Sequence, residues 1–288
     1  MASTAPPLPR LRRMRPDDVD AATEMVLGHG WGVRREWLAF AASQAACTPL
    51  IAEFDRAVVA TGVGTANGPV GWIGSIFVDP AFRGRGLGRA ITQGIIDALD
   101  SAGCRTLVLV ATSEGRRLYE PMGFQVQTHY RILEAPGLAA PDEPDEPAAP
   151  SIRPFHSDDL PGLVALDRAA TGEDRVHALN RLAVAATAKV AVGADGEISG
   201  FLVRPPWGGG ATVARSIEDA LTIVRARRVT SGLDGRVRVG VLQENREGLE
   251  RLGFEGFRQA WSAPRMLRGE PLSWRPELIW GQFNHAMG

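Results

Sequence analysis

Lysine is nearly absent: of 32 basic residues only Lys189 is a lysine, and the other 31 are arginine. A lysine Schiff base, a Ser-Lys pair or a Walker-type phosphate loop would each have to use that one residue, and no GxxxxGK precedes it. Cysteine is almost as scarce. Cys47 and Cys104 stand in unrelated contexts without a CxxC or a Cys/His cluster, so neither a disulfide framework nor a metal site is supported. Both read as small buried hydrophobes. Charge of one sign is lacking too: 32 basic against 33 acidic side chains leave a formal charge of −1, which offers no field to nucleic acid or an anionic membrane. No run approaches the roughly 20 apolar residues of a membrane span, and the start, MASTAPPLPR, has no basic segment followed by an apolar one. The expectation is a soluble cytoplasmic protein with neither nucleic-acid nor membrane partners.

What is present suits two globular cores: 288 residues, 44% of them apolar, at roughly 100–200 residues per domain. The divider is APGLAAPDEPDEPAAP, residues 135–150, with five prolines, four acids and no large apolar side chain except Leu138. The parts it separates, 1–134 and 151–288, read as copies of one plan. LRRMRPDDVDAATEMV (11–26) matches SIRPFHSDDLPGLVAL (151–166): a strand ends near Arg-Pro, two aspartates can cap, and an apolar-periodic helix follows. GRRLYEPMGF (115–124) aligns with NREGLERLGF (245–254), setting Arg116 on Arg246, Glu120 on Glu250 and Gly123-Phe124 on Gly253-Phe254. A helix that closes at the Gly-Phe and leads into a strand is the shared expectation.

Within the first half, periodicity predicts strand 11–15, helices 17–28 and 33–46, and strands 49–54, 57–65 and 70–79. Helix 87–102, strand 105–111, helix 114–122 and strand 125–134 follow. TLVLVA (106–111) is apolar without alternation, as in a strand covered on both faces, whereas the long strands before it read as an antiparallel meander. A mixed α/β sheet with helices on both faces results.

The chemistry concentrates in GWIGSIFVDPAFRGRGLGRAITQGIIDAL (71–99). A strand ends at Asp79-Pro80, and a helix with an apolar stripe at 87, 91, 95 and 98/99 follows. Between them lies Arg83-Gly84-Arg85-Gly86-Leu87-Gly88-Arg89. Glycines at a helix N-terminus leave backbone N–H groups unpaired and remove the Cβ atoms that hold an anion away, while arginines add bidentate cations. A pyrophosphate is the natural guest. Nicotinamide and flavin cofactors are disfavoured, because the glycines sit at 84, 86 and 88 and the next strand ends without an acid. Kinase elements and a magnesium-binding acidic cluster are lacking.

Arg83-x-x-Gly86-x-Gly88 after a strand ending Val-Asp-Pro resembles the acetyl-CoA pyrophosphate loop of the GNAT N-acetyltransferases. RRLYEPMGF (116–124) is similar to that superfamily's tyrosine-bearing helix before a Gly-Phe. LDRAATGEDR (166–175) and the Arg-Met of PRMLRG (264–269) extend the resemblance to a bacterial subgroup with two tandem domains. It implies an α/β fold with a mixed sheet and two tandem GNAT-like acyl-CoA N-acyltransferase domains, the second degenerate. That second half has PPWGGGATVARSIEDAL (205–221) in place of the Arg/Gly turn and Leu249 in place of Tyr119. The implied cofactor is acetyl-CoA. It would be held by residues 83–89, by the backbone of Ile76, Phe77 and Val78 where strand 70–79 splays from 105–111, and by Thr112, where many members have asparagine.

By the same resemblance Tyr119 is the general acid for thiolate departure, with a pKa of about 10 that the nearby arginines would lower. The implied reaction moves acetyl to a primary amine of a small molecule or amino acid by direct attack in a ternary complex. The alternative is a catalytically silent acyl-CoA-binding regulatory module. A base is unassigned: Trp72 stands where some members carry glutamate, and the candidates are His29, Glu36, Glu53 and His129. The connection 27–37, with His29, Trp31 and Glu36, is expected to border the acceptor pocket. The aromatic tail WRPELIWGQFNHAMG (274–288) is expected to pack across a domain surface, and the second half to brace or complete the acceptor site. The acceptor itself and the oligomeric state stay open.

Overall fold

The computed structural model describes residues 9–30, 32, 34–140 and 151–288. The first half runs β1 (Arg10–Arg13), α1 (Val19–Leu27), α2 (Arg35–Ser43), β2 (Cys47–Phe54), β3 (Ala57–Asn67), β4 (Val70–Val78), α3 (Leu87–Ser101), β5 (Thr106–Val110), α4 (Ser113–Tyr119) and β6 (Gln125–Pro136). The second repeats the order with β7 (Ser151–Pro154), α5 (Leu160–Thr171), α6 (Val176–Leu182), β8 (Ala188–Val192), β9 (Ile198–Val203) and β10 (Ala211–Ala214). It continues with α7 (Ile217–Ser231), β11 (Arg236–Leu242), α8 (Arg246–Phe254), β12 (Arg258–Gly269) and a short β13 (Ile279–Gly281). Every element expected in the first half is present. Residues 135–136, expected in the linker, instead extend β6, because β11 pairs with them; linker residues 141–150 lie outside the described residues.

The sheets do not follow the division at the linker. One has eight strands in the order β1-β2-β3-β4-β5-β12-β6-β11, the other five in the order β13-β10-β9-β8-β7. Strand β12 lies between β5 and β6, with Met266 opposite Leu109 on one side and opposite Val126 on the other. Reciprocally, β6 lies between β12 and β11, in register from Arg236↔Pro136 to Leu242↔Tyr130. Each half thus lends its long strand to the other. The unalternating TLVLV of β5 now has its reason. Leu107 and Leu109 face Ile91, Ile95 and Leu99 of α3, the stripe read from the sequence, while Val108 faces Trp37, Leu38, Trp72 and Tyr130. Burial of each such side chain contributes about 1.5–3 kcal/mol.

Both halves open on the same device. Arg12 grips both carboxylate oxygens of Asp18, at 2.6 and 2.8 Å, and Asp18 also accepts from Arg15 N. Arg153 grips Asp159 at 2.7 Å twice, and Asp159 accepts from His156 N. Hydrogen bonds from the arginine hold each carboxyl below its ordinary range.

The second sequence match slips by three residues. Helix α8 runs straight through Gly253-Phe254, and Phe254 is 80% exposed. The counterpart of Gly123-Phe124 is Gly256-Phe257: both glycines are left-handed, and both phenylalanines are buried. Phe124 N donates to Tyr119 O and Phe257 N to Leu252 O, at 3.2 and 3.0 Å. Burial of the ring sets the register, so Leu252 and not Leu249 takes the place of Tyr119. Cys47 and Cys104 are buried and unpaired, and burial pushes each thiol up to about 11. No helix among the described residues is long and apolar enough to cross a membrane.

Candidate active site

Asp79 closes the turn after β4, its Oδ1 accepting from Ala81 N at 2.8 Å. Gly84 and Gly86 then take left-handed conformations with φ of 74° and 78°, which cost a residue with a side chain about 1–2 kcal/mol each. Nothing lies within 4 Å of where their Cβ atoms would stand. Helix α3 begins at Leu87, so its first N–H groups have no helical carbonyl to reach. The backbone N–H groups of residues 84–89 make no hydrogen bond within the described structure. This row of donors at the positive end of the α3 dipole is a cradle for a polyanion. Arg83 and Arg85 lie back on the turn, donating to Val78 O and Ala81 O, and Arg89 is exposed, so the main chain forms the floor and the guanidiniums the rim. Gly88 differs: a Cβ there would make ordinary contact with Leu118 at 3.4 Å and Val78 at 3.7 Å, so at this point α3 already packs on α4 and β4.

Beside the cradle the sheet opens. The parallel β4–β5 ladder runs from Val70↔Thr106 to Ile73↔Leu109 and stops. A bulge at this point leaves Ser75 left-handed at φ 54°, with its carbonyl bonded to Thr61 Oγ1 and its hydroxyl to Trp37 Nε1 at 2.9 Å. Ile76, Phe77 and Val78 follow along this opened stretch and line the cleft. Thr112 caps α4, its Oγ1 accepting from Gly115 N at 3.0 Å, which leaves its O–H proton available. Tyr119 ends α4 with its ring against Phe124 and within 3.0 Å of the Cβ position of Gly115. Its hydroxyl has no hydrogen-bond partner among the described residues. The expected lowering of its pKa is reversed: burial pushes the phenol up to about 12.

These parts line one cleft of 1120 Å³, which continues past Trp37 to the second half. There Trp207 meets the rings of Trp37 and Phe40 at 5.3 and 5.0 Å, and the tail delivers Phe283 and His285. The tail is fixed by its backbone: Ala286 O accepts from Thr65 Oγ1 at 2.8 Å, and Met287 O from Asn67 Nδ2 at 2.9 Å. Gly74 permits this, since a Cβ there would stand 2.5 Å from that of Ala286. Among the expected acceptor residues, Trp31 lies outside the described residues. His29 is exposed, 3.6 Å from Asp79 Oδ2 and stacked on Phe77, and Glu36 is exposed at the start of α2; neither lines the cleft. Glu53 is tied to Arg12, and His129 does not line the cleft. His285, which no motif marks in the sequence, does. It stacks on Tyr130 at 5.4 Å, and burial with help from Arg34 pushes its pKa down to about 4, so the imidazole is neutral.

The model of the acetyltransferase (GNAT) family matches residues 12–124, and a second GNAT domain model matches residues 163–281. This chain belongs to the GNAT superfamily. A Pyrococcus horikoshii structure described as an acetyltransferase superposes with a TM-score of 0.80 at 19% identity, covering 100% of this chain and 99% of that one. A tandem GNAT protein from the clavulanic acid biosynthesis pathway gives 0.58 at 13% identity over 92% and 99%. In sequence, a glucosamine 6-phosphate N-acetyltransferase of Trypanosoma brucei brucei is 36% identical over 65 residues, 23% of this chain. That match spans 44% of the relative, less than half its length.

The two GNAT units differ at the turn. In the second, β10 passes to α7 through Arg215 and Ser216 alone, Ser216 Oγ accepting from Asp219 N, and PPWGGG forms the hairpin before β10. No Arg/Gly cradle exists there. The LDRAATGEDR segment turns out to join the units. Asp167 and Arg175 form a buried ion pair, and the buried Glu173 accepts from Trp72 Nε1 at 3.0 Å and from Asn67 Nδ2 at 2.7 Å. A glutamate thus stands beside the Trp72 position after all, but it comes from the other half and does not line the cleft.

Proposed function

We propose that this GNAT protein is an acetyl-CoA-dependent N-acetyltransferase, moving acetyl to a primary amine of a small molecule or amino acid by direct attack in a ternary complex. The reading rests on one observation: a single cleft runs from the partnerless N–H row of residues 84–89, along the opened β4–β5 seam, to Tyr119. The open space over Gly84 and Gly86 suits phosphate oxygens, Thr112 has a proton to donate, and the β4 stretch 76–78 suits the amides of a pantetheine arm. When bound, acetyl-CoA supplies a thioester carbon to which the amine nitrogen bonds as the C–S bond breaks, the sulfur taking one proton and the amine releasing one.

Tyr119 holds the proton for that sulfur: its phenol, protonated at neutral pH at its ordinary value, is pushed further up by burial. Of the carboxylates lining the cleft, Glu134 is bound by Arg236 and Arg238, and Glu114 is exposed. The amine therefore enters as the free base or loses its proton to water, and the rate rises with pH toward the pKa of the amine. The tail and Trp207 wall the far side and exclude water. The first half alone carries the cofactor site in this reading, and the second is a brace. Calorimetry with acetyl-CoA followed by thiol release on a panel of amines, amino sugars included, tests the proposal. Tight binding and turnover on at least one amine are expected. Binding without turnover on any amine supports the silent acyl-CoA-binding module, and absence of binding refutes both.

A further inference from the structure

Two side chains in the cleft have no part in acetyl transfer. Arg204 follows β9 and Arg227 lies on α7; both line the cleft on either side of the Gly209-Gly210 segment. Arg227 donates to Gly209 O at 3.3 Å, and the Cβ position of Gly210 is 3.4 Å from Arg204 Cγ. Arg227 is only 8% exposed, yet among the described residues neither arginine forms an ion pair and the buried Arg204 Nε has no hydrogen-bond partner. Burial first, and Arg204 second, push the Arg227 guanidinium down to about 10. Of the other buried arginines, Arg265 also has an unpartnered Nε and no ion pair among the described residues, but its guanidinium lies over the Trp72 and Trp274 rings and does not line the cleft. Arg175 has Asp167, Arg228 has the carbonyls of Pro136 and Glu255, and Arg236 and Arg238 share Glu134.

A buried cation beside a second, half-buried one, neither with a counter-charge, is a costly arrangement unless an anion arrives. Guanidinium forks match the oxygens of carboxylate and phosphate in particular. We propose that Arg204 and Arg227 form a subsite for a compact oxyanion, a carboxylate or a phosphate, carried by the acceptor amine. As an acceptor subsite it rests on the acetyltransferase reading; as an anion site it stands on its own. Trp37 and Trp207, in ring contact, line the cleft between Ser75 and this pair, so they flank the carbon chain that separates amine from anion.

The test separates the two levels. Thermal unfolding is followed at constant ionic strength with inorganic phosphate or with glutarate, for the wild type, Arg204→Met and Arg227→Met. The wild type should be stabilised by at least one anion, and both variants should lose that increment. Without anion, Arg227→Met should unfold no earlier than wild type, because it removes an uncompensated buried charge; a merely structural arginine would lower the midpoint. In the kinetic arm, amines bearing a carboxylate, a phosphate or neither are compared. The KM of the anionic amine should rise about 10- to 100-fold in Arg227→Met while that of the neutral amine holds. Which anion responds tells carboxylate from phosphate. An anion increment retained in both variants belongs to the 83–89 turn and overturns the subsite, as does its absence from wild type. Failure of every amine to react, with the increment present and lost in the variants, refutes the acetyltransferase reading and leaves the anion site standing.

Discussion

Replacing Tyr119 by phenylalanine removes one oxygen that bonds to no described residue and keeps the ring against Phe124 and Gly115. At pH 8 the stability should change by less than about 0.5 kcal/mol. Turnover should fall about 10²–10³-fold, with CoA affinity unchanged, because the proton for the departing sulfur is lost. Alkaline pH exposes a second difference. Burial raises the phenol from 10 to about 12, so the folded state resists ionisation that the unfolded chain accepts. Below pH 10 this contribution is constant; between about pH 10 and 12 it is lost, up to about 2–3 kcal/mol at 1.36 kcal/mol per pH unit. The phenylalanine variant should therefore lose less stability than wild type over that window. Urea unfolding at pH 8 and pH 11 measures it. The chain has two tyrosines, and Tyr130 is also pushed up by burial, so tyrosinate absorbance of the native protein should stay silent until above pH 10. A tyrosinate step near pH 9, or full turnover in the variant while acetyl transfer is rate-limiting, would refute the reasoning.

Gly86→Ala strains a left-handed position at the start of α3, and calorimetry should show at least tenfold weaker CoA binding with helix content intact by circular dichroism. Asp167→Asn leaves Arg175 as a buried cation without its partner, and the free energy of urea unfolding should drop by about 3–5 kcal/mol. Deleting residues 282–288 strips Thr65 of its acceptor and Asn67 of one of its two, and uncovers Gly74; a lower unfolding midpoint and a raised acceptor KM are the expected results. A chain cut after residue 140 lacks β12 between β5 and β6, so it should be insoluble or unfolded, and cooperative folding of that piece would contradict the strand exchange.

The first half was legible because its signals are local. The antiparallel meander of β2 to β4, the 3.6-residue stripe of α3 and the Arg/Gly turn each depend on neighbours a few residues apart, and tertiary packing agrees with them. The Gly-Phe match in the second half misled because two such pairs stand three residues apart, and only burial distinguishes Phe257 from Phe254. Strand exchange left no trace in the sequence, since β12 has the same residue pattern whichever sheet receives it. The Tyr119 pKa failed for a similar reason: exposed arginines are visible in a sequence, and desolvation is not. His285, Arg204 and Arg227 gather only in three dimensions, from a tail, a strand end and a helix that no spacing rule relates.

The placement of β12 bears on the order in which the molecule comes into being. During synthesis β5 and β6 are made long before the strand that belongs between them, so the first sheet waits with its middle missing until residue 269 has emerged. Neither half closes its own sheet, and the contacts that close it join strands far apart in the chain, a topology that disfavours fast folding. The waiting seat has two unpaired edges. At high concentration the β12 of another copy fits it as well as the chain's own, so the topology carries a built-in route to interlocked dimers during refolding.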